Sequence, residues 1–231
     1  MPIPFNKHKI LGTPRNDHFF KEREPLDEFK NYKKIIMYMP TFRKGYLERE
    51  EGEVSDSIIP VNNFNEMDFY DFLKENNYLL LLKLHPQEEG LYKTRLSKYK
   101  DHIYFLNKEK LIKENMDLYE ILPHTDMLIT DYSSVYFDYL LLNKPIVFIN
   151  TDLEKYRETR GLLLEPYDQW TPGLKVREFE ELIKVIKNSF SEDTFIKQRK
   201  ELIDIFHTYK DGKSTERLEA FIKEILNNNQ G

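Results

Sequence analysis

Polar and hydroxylated side chains stand between two apolar runs in the stretch TDMLITDYSSVYFDYLLLNKPIVFI, residues 125–149. Asp131, Ser133 and Ser134 follow an apolar run that indicates a buried strand, and a helix is expected directly after them. The first turn of a helix presents unpaired amide N–H groups, and the serines add hydroxyl donors. This pattern is typical of a phosphate site. The alternative is that Asp131 or Ser133 only caps the helix.

Two further side chains extend this hypothesis. Asp138 lies four residues after Ser134, one turn further along the same helix face, so its carboxylate is expected to reach a ribose hydroxyl. His85, in the stretch KLHP, follows a second apolar run and can donate a hydrogen bond to a leaving phosphate, with positive charge from Lys83 beside it. A histidine at the end of a strand is also often structural.

A third apolar run ends in MPTFR, which supplies the hydroxyl of Thr41 and the charge of Arg43. Ahead of that run, GTPRND supplies the basic side chain of Arg15. In α/β folds, ligands bind beyond the carboxyl ends of parallel strands. We therefore expect these groups to meet at one edge of the sheet, because a chance placement of all of them is much less probable than that of one.

The elements that must position these residues alternate along the chain. Continuous apolar runs separated by helical patterns predict an α/β fold with a doubly wound, mainly parallel, Rossmann-like sheet. A polar stretch from Asn150 to about Gly173 is followed by a C-terminal helical tail. The predicted strands are 33–42, 78–86, 102–106, 126–130 and 145–149, and the predicted helices include 64–75, 116–124, 133–142, 176–189, 193–206 and 215–227.

Composition narrows the class of protein. The 231 residues carry a net charge of -5, which argues against non-specific nucleic-acid binding, and contain no cysteine, which excludes disulfides and thiolate metal sites. No apolar run approaches the roughly 20 residues of a membrane span, so we expect a cytoplasmic protein that at most rests on a membrane. No carboxylate cluster has metal-ligand spacing. We therefore expect no cofactor, although a divalent ion could accompany a bound diphosphate.

Together these segments resemble the CDP-glycerol glycerophosphotransferase family, the teichoic-acid and capsule polymerases of bacteria. The matching stretches are GTPRND, YMPTFR, KLHP, the 125–149 stretch, YRETRG and TPG, in the family's order from about residue 11. The resemblance implies one GT-B-like donor-binding domain over 1–231. It implies a CDP-glycerol or CDP-ribitol donor and transfer of polyol phosphate to a polymer hydroxyl. It also implies that catalytic His85 and the Thr130–Ser134 loop hold the phosphates, with Arg160 and Gly161 nearby.

Members of this family carry an N-terminal acceptor domain ahead of the PRND segment, and this chain begins almost at that segment. We therefore expect the acceptor domain to be absent, and a partner chain, a second copy or a polymer at the inner face of the membrane to complete the site. The alternatives are a GT-B glycosyltransferase or epimerase that uses a UDP- or CMP-sugar, a non-catalytic half that binds nucleotide or a partner, and purely structural motif residues.

Overall fold

The computed structural model describes residues 8–42 and 57–228, and its centre is a six-stranded parallel sheet. The strand order is β3-β2-β1-β4-β5-β6, and each neighbouring pair is parallel. This confirms the predicted doubly wound α/β class. The strands are β1 (Lys34–Tyr38), β2 (Tyr78–Leu82), β3 (Ile103–Phe105), β4 (Met127–Thr130), β5 (Ile146–Ile149) and β6 (Leu174–Val176).

The strands are apolar throughout because both faces of the sheet are covered. Successive residues of β1 point to opposite faces. Ile36 and Tyr38 belong to one buried cluster, and Ile35 and Met37 belong to the other. Burial on both sides explains why these strands read as continuous apolar runs rather than alternating patterns.

Helices connect the strands and cover the two faces. The longest predicted helices are confirmed, including the three of the C-terminal tail. The full set is α1 (Glu66–Asn76), α2 (Pro86–Leu96), α3 (Lys108–Lys113), α4 (Leu118–Ile121), α5 (Val135–Tyr139), α6 (Leu153–Thr159), α7 (Tyr167–Trp170), α8 (Phe179–Ser189), α9 (Ile196–Phe206) and α10 (Ser214–Asn228). A 3-10 helix spans Pro14–Phe20, which we call the 14–20 helix.

Two sequence predictions about these elements were wrong in detail. The segment before α8 holds β6, a three-residue edge strand that the sequence did not reveal because Leu174 and Lys175 are not fully buried. Gly173 permits this pairing, since a Cβ there would lie 2.0 Å from the carbonyl oxygen of Ile146 on β5. The helix expected at 133–142 is the five-residue α5 followed by a 3-10 turn.

No helix within 8–42 and 57–228 is both long enough and apolar enough to cross a membrane. The longest of them, α10, has a single face of apolar residues and charged residues elsewhere.

Candidate functional site

The sheet changes its direction of growth between β1 and β4, which are neighbours although they are far apart in sequence. The carboxyl ends of such strands are the usual place for a ligand in this class of fold. Thr41 follows β1, His85 follows β2 and Ser133 follows β4. The structure therefore brings the three groups predicted from the sequence to one edge of three adjacent strands.

Asp131 joins the loops that follow β1 and β4. Its side chain is 2% exposed, and its Oδ1 accepts hydrogen bonds from the Thr41 amide at 2.8 Å and the Thr41 hydroxyl at 2.7 Å. The same oxygen accepts from the amides of Tyr132, at 2.6 Å, and Ser133, at 3.2 Å. The buried carboxylate of Asp131 holds the two loops in place at the edge of the sheet. Its burial and its negative charge do not fit the predicted direct contact with phosphate.

Thr130 has a similar supporting position. Its hydroxyl donates to the carbonyl oxygen of Met39 at 2.7 Å, and the residue is fully buried. The bond ties the end of β4 to the end of β1. Direct phosphate binding by this hydroxyl, which the resemblance implied, does not fit its burial.

The two serines that follow are placed differently. Ser134 is exposed at the N-cap position of α5 and makes no side-chain capping bond, while Ser133 is half-buried. In the described parts of the chain, neither serine hydroxyl is engaged by another protein group. The capping alternative is not observed, because Asp131 accepts from the Tyr132 and Ser133 amides, which precede α5, and no side chain caps that helix. The serine hydroxyls remain donors at the edge.

His85 is fixed from two sides. Its ring stacks on Phe42, with centroids 4.0 Å apart and planes inclined by 23°. Its carbonyl oxygen accepts hydrogen bonds from the amides of Glu88, at 2.9 Å, and Glu89, at 3.0 Å, in the first turn of α2. Lys83 is half-buried just after β2, and its amide donates to Tyr38 on β1 at 3.0 Å. The ring of His85 thus lies beside the end of β1.

Phe42 was not among the predicted site residues. Its position in the stretch MPTFR, between Thr41 and Arg43, was the available signal. Arg43 itself lies outside the described residues, so its predicted role at the site stays a prediction.

Asp138 does not have the environment that its predicted ribose contact requires. It is 5% exposed, and its Oδ2 accepts from Arg15 Nη2 at 2.8 Å, Arg15 Nε at 3.1 Å and the Tyr119 hydroxyl at 2.8 Å. Its Oδ1 accepts from Asn16 Nδ2 at 2.8 Å. Burial and the charge of Asp138 raise the pKa of Tyr119, which keeps that phenol a donor. Helix spacing could not identify which side chains pack on Asp138.

Arg15 makes two of these contacts with a side chain that is 55% exposed, so its predicted phosphate contact stays a prediction. The next two residues of the PRND segment are structural. Asp17 is buried and accepts from the amides of Ser214, at 2.9 Å, and Thr215, at 2.7 Å, at the start of α10. Burial opposes the charged form, but these bonds prevail and lower the pKa of Asp17. The segment therefore anchors α5 and α10.

Arg160 and Gly161 lie at the far end of α6, about 12 Å along the helix axis from Asp152. Both are exposed, and Gly161 has a φ of 80°, the left-handed conformation that ends the helix. Tyr132 connects α6 to the edge, because its hydroxyl donates to Asp152 at 3.0 Å and its ring stacks on Tyr156 at 4.1 Å. Arg160 and Gly161 thus end a helix that contacts the edge through Tyr132, and their predicted place at the site stays a prediction.

Within the ranges that the structure describes, no three His, Asp or Glu side chains converge in a way that could hold a metal ion. The donors at the edge are hydroxyl groups and an imidazole ring. Such groups hold an anion by hydrogen bonds.

Comparison with known proteins adds independent findings. Residues 2–224 match the family described as CDP-Glycerol:Poly(glycerophosphate) glycerophosphotransferase. The chain is 31% identical to a teichoic acid ribitol-phosphate primase of Bacillus spizizenii, over 94% of this chain and 53% of that protein. It is 32% identical to a teichoic acid glycerol-phosphate primase of Bacillus subtilis, over 97% and 53%. The chain thus spans about half the length of these relatives.

A solved structure of the wall teichoic acid polymerase TagF has the same fold over 99% of this chain and 55% of that one. The TM-score is 0.68 and the identity is 26%. The six-stranded sheet is therefore shared with a protein of known structure and not peculiar to this chain.

Proposed function

The chain belongs to the CDP-glycerol:poly(glycerophosphate) glycerophosphotransferase family, and we propose that its strand-end edge binds the diphosphate of a CDP-polyol donor. The observation that carries this proposal is the junction at Asp131. One buried carboxylate joins the loops after β1 and β4, while the hydroxyls of Ser133 and Ser134 stay at the surface. The family transfers polyol phosphate from such donors.

The spacing of the strands fits a diphosphate. Neighbouring parallel strands lie about 4.8 Å apart, and β1 stands between β2 and β4, so the ends of those two strands are about 10 Å apart. His85 follows one of them and Ser133 the other. A donor that lies across the end of β1 can therefore meet the imidazole on one side and the serines on the other.

The reaction that this arrangement suits is a transfer of phosphoryl groups. An acceptor hydroxyl oxygen bonds to the β-phosphorus and its proton passes to solvent, while the bond from that phosphorus to the bridging oxygen breaks and CMP leaves with the electron pair. Charge accumulates on the bridging oxygen and on the transferred group, so positioned donors stabilise the transition state. His85 donates to the leaving phosphate, and the serines hold the phosphoryl oxygens.

Completion of the transfer belongs to the same proposal. An acceptor polymer, and an acceptor domain or second chain that presents it at the inner face of the membrane, would supply the attacking hydroxyl. A donor-binding unit without transfer is the second candidate. Release of CMP from CDP-glycerol in the presence of a glycerol-phosphate primer distinguishes the two.

The proposal is tested by titration calorimetry with CDP-glycerol, CDP, CMP and UDP. We expect CDP-glycerol and CDP to bind and UDP to bind at least tenfold more weakly. His85→Ala should weaken CDP-glycerol binding about tenfold or more, since a hydrogen bond to a charged group contributes roughly 1.5–3 kcal/mol.

His124→Ala is the matched control, because His124 precedes β4 at the opposite edge of the sheet. Its affinity for CDP-glycerol should equal that of the unsubstituted chain. Equal binding of UDP and CDP would favour a donor such as a UDP-sugar instead, and absence of all binding would overturn the proposal.

A further inference from the structure

A groove runs beside β3, the strand at one edge of the sheet. Its volume is about 500 Å³. It lies between the C-terminal part of α2, the strand itself and α3. The lining side chains are Lys93, Leu96, Ser97, Lys100, Ile103, Tyr104, Phe105, Asn107, Glu109, Lys110 and Lys113.

The charge of this groove opposes that of the whole chain. Four lysines and one glutamate line it, although the chain has a net charge of -5. Lys93 lies 3.7 Å from Glu89, and Lys110 lies 3.0 Å from Glu28. Within 8–42 and 57–228, the other two lysines of the lining, Lys100 and Lys113, form no ion pair. The groove therefore has positive charge to offer a ligand.

The floor of the groove is apolar. Leu96 and Ile103 are buried there. The ammonium group of Lys110 lies over the ring of Tyr104, 5.1 Å from its centroid. Ser97 and Asn107 also line the walls, where the Ser97 hydroxyl donates to the carbonyl oxygen of Thr94 at 2.7 Å and the Asn107 amide donates to Glu89 at 3.2 Å. A ligand that suits this surface has negative charges separated by short carbon segments.

The position of the groove relates it to the candidate site. The helix α2 begins directly after His85, and Lys93 lies about 12 Å further along its axis. Asn107 follows β3 at the carboxyl edge of the sheet, which is the edge of His85 and Ser133. One end of the groove thus lies at the same edge of the sheet as the candidate site, and Lys100 marks the other end.

We propose that this groove binds the phosphodiester-linked polyol chain that accepts the transferred group. Phosphates contact the ammonium groups of Lys93, Lys100 and Lys113, and the carbon segments lie on the half-buried rings of Tyr104 and Phe105. The identity of the polymer rests on the proposed function, whereas the binding of a polyanion rests on the groove alone. A lipid headgroup is the competing source of phosphate.

The test uses the whole chain and a fluorescent glycerol-phosphate oligomer of six repeats. The variant K93Q/K100Q/K113Q removes three charges from the groove. Each exposed contact contributes a factor of about two to five, so oligomer affinity should fall about tenfold or more. The affinity of the unsubstituted chain should also fall steeply with salt, as polyanion binding does.

The control K184Q/K197Q/K200Q makes the same change in net charge on the exposed faces of α8 and α9, away from the groove. It should bind the oligomer like the unsubstituted chain. CDP-glycerol binding, measured in parallel, should be equal in all three proteins, so that failure of the donor site is recognised separately from failure of the groove.

Equal loss of oligomer affinity in both triple variants would overturn the proposal, since net charge would then explain the binding. So would oligomer affinity unchanged in K93Q/K100Q/K113Q. The last arm uses vesicles of phosphatidylglycerol. If the groove variant lost vesicle binding but kept oligomer binding, the groove would be a membrane contact, and the proposal would be wrong.

Discussion

Two buried aspartates seven residues apart, Asp131 and Asp138, serve different parts of the molecule. Asp131 accepts chiefly from backbone amides of two loops at the strand ends. Asp138 accepts from three side chains, of which two belong to the 14–20 helix and one to α4. Their burial is almost the same, at 2% and 5% exposure. The hydrogen-bond partners, and not the burial, therefore distinguish the two residues: Asp131 joins two loops at the strand ends, and Asp138 holds helices together.

The segment from Asp131 to Asp138 thus combines two roles, support of the strand-end edge and attachment of α5 to its neighbours. The loop from Asp131 to Ser134 is fixed from beneath by a carboxylate, so its hydroxyls can face a ligand without being needed for the fold. One turn later, the same helix is fastened to the N-terminal segment. Removal of Asp131 should therefore lower mainly the affinity for the donor, whereas removal of Asp138 should lower mainly the free energy of unfolding.

The largest effect is expected for Asp138→Ala. The charge of Arg15 and the buried amide of Asn16 would lose their acceptor, so the free energy of unfolding should fall by about 2–4 kcal/mol. Urea unfolding measures this. CDP-glycerol affinity of the folded variant should stay within about twofold. Asp204→Ala, which removes an exposed partner of Lys210, is the control and should change stability by less than about 0.5 kcal/mol. If the free energy of CDP-glycerol binding fell by more than the free energy of unfolding, the result would support the predicted contact between Asp138 and the ribose.

Asp131→Ala should reverse this balance. Without the carboxylate, the loops after β1 and β4 lose their common acceptor, and the donors at the edge are no longer held in place. We expect CDP-glycerol affinity to fall at least tenfold and the free energy of unfolding to fall by about 1–3 kcal/mol. Calorimetry and urea unfolding on the same preparation measure both. Unchanged affinity would show that the junction at Asp131 does not organise the site.

Ser133→Ala and Ser134→Ala sharpen the comparison further. Each should weaken CDP-glycerol binding by about tenfold, because each removes a hydrogen bond to a charged phosphate. Neither should change the free energy of unfolding by more than about 0.5 kcal/mol, since Ser134 makes no capping bond. Ser191→Ala, at an exposed serine after α8, is the control. A lowered melting temperature with full affinity would mean that the serines support only the fold.

The smallest effect concerns Asp17, a third carboxylate that accepts backbone amides, here at the start of α10. Its pKa is lowered from a usual value near 3.8, so its contribution to stability is present above that pH and is lost as the pH falls through the folded-state value. Asp17→Asn should therefore reduce the free energy of unfolding by about 1 kcal/mol at pH 7. The difference between the two proteins should shrink as the pH falls toward 3.

Urea unfolding at pH 7, 5, 4 and 3 checks this dependence. Asp71→Asn, on the exposed face of α1, provides the matched control and should show no such trend. A difference that stayed constant across this range would mean that the charge of Asp17 does not contribute to the capping of α10.

The amino-acid sequence by itself determined the parallel sheet, five of its six strands, the main helices and the family. The elements follow from the apolar runs, and the family follows from the order of the motifs. Burial places apolar side chains at regular intervals of a few residues, so a short stretch of sequence is enough to recognise a strand or a helix. The same reasoning placed Thr41, His85 and Ser133 at one edge.

Tertiary structure decided which polar groups are buried against the protein and which stay at the strand-end edge. Asp138 meets Arg15 across 123 positions of sequence, and Thr41 meets Asp131 across 90. Strand β6 likewise exists because Gly173 allows the chain to approach β5. Such pairings depend on the way helices pack over the sheet, and a buried polar side chain must find its partner there. The spacing of apolar residues along the sequence does not indicate which partner a buried polar side chain will have.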